Sequence, residues 1–269
     1  MTKISIITPT YNAEKFLEKN IDSIKSQRIK NIEHILVDAM SNDGTLKIIN
    51  RYNDHFSKII IEKDKGIYDG MNKGIMASTG ELVGILNADD FYNIETLYHV
   101  LKIYNLSSKK DIIIYGDMYI EYGDNRVLVK GDLTDEAFKK GKFQINHPSV
   151  FVSKSLYSKI GLFNLDYATG ADREFLLRAF FCKAKFLKIK KPLATFSLGG
   201  FTSSYSLKLI ISRTIEEFKI FKKHYSISYA VKKSLNQFYR MLRNNILYYF
   251  LGRNNFLKKR IEWLKKKND

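Results

Sequence analysis

The chain has 269 residues, 45% of them hydrophobic and 27% charged, which suits one large α/β domain or a core domain with an appendage and excludes a disordered chain. Its single cysteine, Cys182, rules out an intrachain disulfide and points to a reducing compartment. The formal net charge is +17, and residues 206–269 alone carry 16 Lys and Arg against 4 Asp and Glu; that basic segment suits nucleic acid, an acidic protein or anionic lipid, and charge alone does not choose.

The N-terminal MTKISIITPTYN runs directly into an apolar strand pattern, with no basic region and sustained apolar stretch, so no signal peptide is expected. Ile4, Ile6 and Ile7 form a short buried strand stopped at Pro9. AEKFLEKNIDSIKSQ then places Phe16, Leu17, Ile21 and Ile24 on one helical face. HILVDAMSNDGT is a second strand (Ile35 to Val37) ending in a polar turn; TLKIINRYND is a helix and KIIIEKD a third strand. A glycine-containing loop and another helix lead to GELVGILNADD, a fourth strand ending in two acids. This alternation predicts an α/β fold, a mostly parallel sheet with helices on both faces. Ligands of such sheets sit beyond the carboxyl ends of the strands, and TPTYN, DAMSND, EKD and NADD all fall at that edge.

Residues 111–200 read as mixed, with strands around Ile112–Tyr115 and Val127–Val129 and a helix presenting Phe175, Leu176, Ala179 and Phe180. After Gly199–Gly200, aromatic and aliphatic residues alternate with basic ones at helical spacing. No run approaches the roughly 18 apolar residues of a membrane span. The expected location is the cytoplasm, either free or peripheral on the inner face of the cytoplasmic membrane.

Asp89 and Asp90, adjacent after an apolar strand, form a hard-oxygen pair suited to Mg²⁺ or Mn²⁺ bridging a diphosphate. A strand-end turn with Asp90 capping a following helix would produce the same pair. Asp38 could accept a hydrogen bond from a base N–H, while Asp43 fits an Asx turn capping helix 45–52. Tyr11 could stack on a base or simply pack. In EKDKGIYDGMNKGI, Asp64 and Asn72 could reach a ribose or base and Lys65 or Lys73 could offset phosphate charge; a plain loop-to-helix transition is the alternative. Asp172 reads locally as an N-cap, although a base on the face opposite a leaving diphosphate needs such a carboxylate. His147 is either an acceptor or diphosphate contact or a structural histidine.

Taken in order, ITPTYN, VDAMSNDGT, EKDKGIYDGMNKGI, LNADD and GADREFLLR resemble the family 2 glycosyltransferases of the GT-A fold, closest to bacterial enzymes building capsule, O-antigen or other surface polysaccharides. The likeness covers about residues 3–205, giving an expected catalytic domain of 1–205 and a helical extension of 206–269. It implies inverting transfer from a nucleoside-diphosphate sugar to a glycan or lipid-linked acceptor, with Mg²⁺ or Mn²⁺. By position, Thr10, Tyr11, Asp38 and Asp64 would hold the nucleotide, Asp89 the metal, and Asp172 would be the base. Asn87 stands where the commoner D-x-D pattern has its first acid; it keeps an oxygen and an N–H for ribose or phosphate but loses one charge. The basic, aromatic-rich extension suits an anionic membrane surface, packing on the core, or a homodimer contact.

Two other functions weigh less. A sugar-1-phosphate nucleotidyltransferase would want a glycine-rich, basic loop after the first strand, and TPTYNAEKF has no glycine. A basic nucleic-acid-binding protein would explain the tail but not acids gathered at the sheet edge, so no nucleic acid is expected as partner.

Overall fold

The computed structural model describes residues 2–108, 110–198 and 206–268, without the side chains of 267 and 268. Strands β1 (Ile4–Thr10), β2 (Ile32–Asp38), β3 (Lys58–Ile61) and β4 (Leu82–Ile85) pair in the order β3–β2–β1–β4, each pair parallel. The helices α1 (Leu17–Lys25), α2 (Thr45–Arg51) and α3 (Ile67–Ala77) return the chain between them. Side-chain alternation divides the strands between two cores. Ile7, Ile35, Val37, Val83 and Ile85 pack with Tyr68, Met71 and Ile75 of α3. On the other face, Ile4 and Ile6 pack with Ile24 of α1, and Leu36 packs with Leu17, Ile21, Ile48 and Ile49 of α1 and α2. A Cβ on Gly74 would fall 2.3 Å from Ile7 Cγ2, so α3 lies on β1 at a distance only glycine permits.

Pro9 does not stop β1, which runs on to Thr10. The register explains the correction. Leu86 N donates to the carbonyl of Ile7, so Ile7, and with it Pro9, turns its backbone groups toward β4. The β1–β4 ladder ends at the Ile7–Ile85 pair, and the missing Pro9 N–H faces a side with no strand to accept it.

Beyond β4 the sheet becomes mixed. β5 (Phe91–Tyr92), α4 (Thr96–Asn105), β6 (Ile112–Tyr122), β7 (Asn125–Val129), α5 (Asp135–Lys139), β8 (Val150–Ser153), α6 (Lys154–Ile160), α7 (Ala171–Phe181) and β9 (Lys185–Ser197) follow in chain order. β8 inserts antiparallel between β4 and β6, β9 runs parallel to β6, and β5 closes the far edge antiparallel to β9. The 13-residue β9 escaped the sequence reading because its lysines and Pro192 break the apolar pattern. An irregularity in register between Gly116 and Met118 accommodates Pro192.

Two helices complete the chain, α8 (Leu207–Lys222) and α9 (Ile227–Asn268), the latter broken at Gly252 (φ 70°, ψ 162°). Ile220, Phe221 and Ala230 join the core beside α7, while Phe256 and Leu257 pack on Met118, Ile120 and Leu198. The extension therefore meets the sheet body at two places. The composition change at Gly199–Gly200 and the expected boundary after residue 205 lie outside the described residues. Among those residues, no helix is long and apolar enough to cross a membrane.

At the amino-terminal edge of the parallel strands, the buried Glu33 carboxylate accepts from Ser5 Oγ (2.5 Å), Thr79 N (2.7 Å) and Thr79 Oγ1 (2.6 Å) and pairs with Lys3 (2.9 Å). Burial alone would raise its pKa, but these hydrogen bonds prevail and hold it at about 2 against an ordinary 4.5. A depressed carboxyl contributes stability that is complete above its unfolded pKa and is lost as pH falls toward the folded one. Glu33→Gln is therefore expected to cost about 1–3 kcal/mol near neutrality. Urea unfolding should show the variant losing less further stability than wild type as pH falls from 4.5 toward 2.

Candidate active site

Parallel pairing places the carboxyl ends of β1 to β4 along one edge, and the polar clusters meet there. Thr10 and Asp38 are register partners at the ends of β1 and β2. The wholly buried Asp38 carboxylate accepts from Thr10 Oγ1 (2.8 Å), Ser41 N (2.8 Å) and Ser41 Oγ (2.6 Å). It is thereby engaged in shaping the loop after β2. Asn12 joins the two loops, donating from its N–H to Ser41 Oγ (2.9 Å) and accepting from Asn42 N (3.0 Å). Tyr11 is exposed on this rim, with its ring free to meet a planar ligand. Asp43 accepts from the N–H and hydroxyl of Thr45, the Asx geometry expected for it, but the cap of α2 is Gly44 and the helix ends at Arg51.

Asp64 accepts from Gly66 N (3.0 Å), closing the turn into α3. Asn72 points elsewhere: its amide donates to Phe163 O (2.9 Å) and accepts from Phe163 N (3.0 Å), clasping the segment before α7. Lys73 is held by Glu62 (3.0 Å) and by the Lys63 carbonyl (2.8 Å), and Lys65 N donates to Asp69 Oδ2 (3.0 Å).

The acidic turn after β4 is pinned from below by a residue the sequence did not single out. Asn20 of α1 is fully buried and donates to the carbonyls of Asn87 (2.8 Å) and Asp90 (2.9 Å). Its signal was one polar residue inside the apolar stripe of Leu17, Ile21 and Ile24. Asp90 caps no helix, because residues 91 and 92 form β5 and α4 starts only at Thr96. One Asp90 oxygen accepts from Ser197 N (3.3 Å). The other, and the side-chain oxygen of Asn87, are buried with no hydrogen-bond partner among the described residues. Burial, and then the charge of Asp89, push the Asp90 carboxyl well above the usual range; burial also raises that of the half-buried Asp89. Orphaned buried oxygens on two residues of one turn are what a hard cation would satisfy. No group of three or more His, Cys, Asp or Glu side chains fit to hold a metal occurs among the described residues. That is compatible with Mg²⁺-type binding through one or two carboxylates plus substrate phosphates. The residues present fit such an ion, which Asp89 would ligate with Asn87 or Asp90 beside it.

The second half of the sheet brings two later residues to the end of β4. Ile85, at the end of β4, lines a cavity of about 20 Å³ together with His147 and Asp172, room for about one water. Asp172 lies in the first turn of α7 and not at its cap, which is Gly170. Asp172 Oδ1 accepts from Tyr68 Oη (3.1 Å) and from Arg173 N (2.8 Å). Among the described residues both bonds fall on Oδ1. Tyr68, from the IYDG segment, was not foreseen as a site residue; burial first, then the Asp172 charge, keep its hydroxyl protonated and donating. His147 opens a 3-10 turn (His147–Ser149), and its Nδ1 is buried without a partner among the described residues. Burial lowers its pKa, opposed by the Asp172 charge.

Residues 5–158 match the family model described as glycosyl transferase family 2. A PGL/p-HBAD biosynthesis glycosyltransferase of Mycobacterium bovis (strain BCG / Pasteur 1173P2) is 34% identical over 180 residues, 65% of this chain and 69% of the relative. An uncharacterized glycosyltransferase of Rickettsia typhi is 30% identical over 60% of this chain and 53% of its own length. Among solved structures, S. aureus TarS 1-349 in complex with UDP-GlcNAc superposes with a TM-score of 0.67 at 19% identity, covering 87% of this chain and 72% of TarS 1-349. The mannosyltransferase PcManGT from Pyrobaculum calidifontis, in complex with GDP-Man and Mn²⁺, superposes with a TM-score of 0.61 at 16% identity, covering 88% and 74%. The mostly parallel half-sheet, its helices on both faces and the C-terminal helices are the expected GT-A architecture. With more than half of its length matched by the family model, the chain belongs to glycosyl transferase family 2 and is a glycosyltransferase.

Proposed function

We propose that the protein transfers a sugar, with inversion, from a nucleoside-diphosphate sugar to a hydroxyl of a glycan or lipid-linked acceptor in surface polysaccharide synthesis. The observation that carries the reading is the meeting of Asp172 with the end of β4, two residues before Asn87, around one cavity. The nucleotide would lie along the rim of Thr10, Tyr11, Asp38 and Asp64, with Asn72 holding the wall behind it. Asn87, Asp90 and His147 would border the diphosphate, and residues 1–205 would form the catalytic unit. A bound Mg²⁺ or Mn²⁺ at Asp89 would neutralise charge on the departing diphosphate.

Asp172 would take the proton of the acceptor hydroxyl as its oxygen bonds to the anomeric carbon. The bond from that carbon to the diphosphate breaks on the opposite face, and its electron pair leaves with the diphosphate. Tyr68 fixes the orientation of the carboxylate for this task by occupying Oδ1.

We further propose that α8 and α9 dock on anionic lipid. Leu207, Ile211 and Ile215 on α8, and Val231, Leu235 and Tyr239 on α9, recur every four residues and are exposed. They are interspersed with exposed lysines such as Lys208, Lys219 and Lys232. Tyr249 (88% exposed) and Phe250 (86%) extend the apolar surface.

UDP with Mn²⁺ should raise the thermal midpoint while duplex DNA does not, and a panel of UDP- and GDP-sugars should reveal metal-dependent hydrolysis of a subset. Stabilisation by DNA alone would favour the nucleic-acid reading. Asp172→Asn is expected to keep UDP–Mn²⁺ affinity while lowering turnover about 10²–10⁴-fold. Asp89→Ala should weaken Mn²⁺-dependent UDP binding about 10–100-fold in calorimetry. On the membrane, the full chain should float with phosphatidylglycerol vesicles and not with phosphatidylcholine vesicles, and Ile211→Glu with Leu235→Glu should abolish flotation. Loss of a dimer in light scattering, with flotation unchanged, would assign that face to a second copy of the chain.

A further inference from the structure

Asp172 is held where it is by the chain entering α7, and that entry is short of local support. The cap residue Gly170 has no side chain to bond the helix N-terminus. The donors of the preceding loop are gathered instead by a residue of α8. Glu216, 8% exposed, accepts from Ala168 N at Oε1 (3.1 Å) and from Thr169 N and Thr169 Oγ1 at Oε2 (both 3.0 Å). The next residue, Glu217, is equally buried and ion-pairs with Arg173, the neighbour of Asp172. Consecutive carboxylates on one helix thus grip the chain on both sides of Asp172. The fit is close: a Cβ on Gly170 would come within 2.7 Å of Ile220 Cδ1. Two buried carboxylates are costly unless fully hydrogen-bonded or paired, and here their partners are the residues flanking Asp172.

We propose that Glu216 is a positioning residue for Asp172, its carboxylate fixing the entry of α7 and so the direction in which Asp172 presents its free oxygen. The proposal rests on the reading of Asp172 as the base. Glutamine is no substitute at 216, because it replaces one acceptor oxygen with an NH₂ group that opposes the donors of Ala168 or Thr169. The helices after residue 205 are then part of the catalytic apparatus and not only an appendage. The charge of Glu216 also raises the pKa of Tyr68, placing its carboxylate within electrostatic reach of the other group that orients Asp172.

The test is a double-mutant cycle on the full chain. Initial rates are measured with the sugar nucleotide that wild type hydrolyses, and affinity with UDP and Mn²⁺ by calorimetry. Glu216→Gln should lower kcat about 10²-fold, the scale of a misplacement of about 1 Å, while the KM for donor and the UDP–Mn²⁺ affinity stay near wild type. Adding Glu216→Gln to Asp172→Asn should slow turnover no further than Asp172→Asn alone. Thr169→Val, which removes only the hydroxyl donor, should give a smaller kcat loss in the same direction and decides the matter if Glu216→Gln does not fold. A folded Glu216→Gln with wild-type kcat, or losses that multiply in the double variant, would overturn the proposal while leaving the base assignment intact. Near-wild-type turnover in Asp172→Asn alone would overturn the base assignment and the proposal with it.

Discussion

Parallel pairing is the constraint on which the molecule depends. Neighbouring parallel strands cannot be joined by a tight turn, so each of the three connections among the first four strands is a long excursion through a helix. Every exit falls on the same side, where loops rich in Asp, Asn and Thr are free of the ladder. The register pairs Thr10 with Asp38 at that edge, and the early end of β4 leaves room beside Pro9. Chemistry collects there because the polar exits have one side on which to emerge.

The antiparallel insertion of β8 between β4 and β6 does the complementary work. It carries the chain back across the sheet and delivers the 3-10 turn of His147 and the helix of Asp172 to the end of β4. On the proposed reading, one half of the sheet sets out the rim for the nucleotide and the other half supplies the base. Two asparagine amides fasten these parts: that of Asn72 clasps Phe163, and that of Asn20 holds the acidic turn after β4.

Short apolar runs and helical spacing made β1 to β4 and α1 to α3 legible, because central strands buried on both faces and amphipathic helices leave strong local signals. Pro9 was misread for want of a neighbour: whether its missing N–H matters depends on where β4 ends, a tertiary fact. β9 was hidden by its lysines and Pro192, whose accommodation depends on an irregularity in the register with β6. The acids at the edge were visible as a cluster at strand ends. Their partners were not, since Asn20, Tyr68 and Glu216 are distant in sequence and each looks like an ordinary member of its helix. Asp172 illustrates the division. Its helix was predictable, its place in the first turn was not, and its approach to Ile85 needed the whole second half of the sheet.

The order in which the chain is made acquires a meaning from Glu216. A nascent polypeptide reaching Ser197 already contains all nine strands of the sheet and every acid of the rim. It still lacks the helix that fastens the loop before Asp172. On the proposed reading of Asp172 and Glu216, the strands and the acids of the rim are thus made before the segment that fastens the entry of α7. A chain ending before α8 would, on that reading, hold every strand and lack the grip on the loop before Asp172.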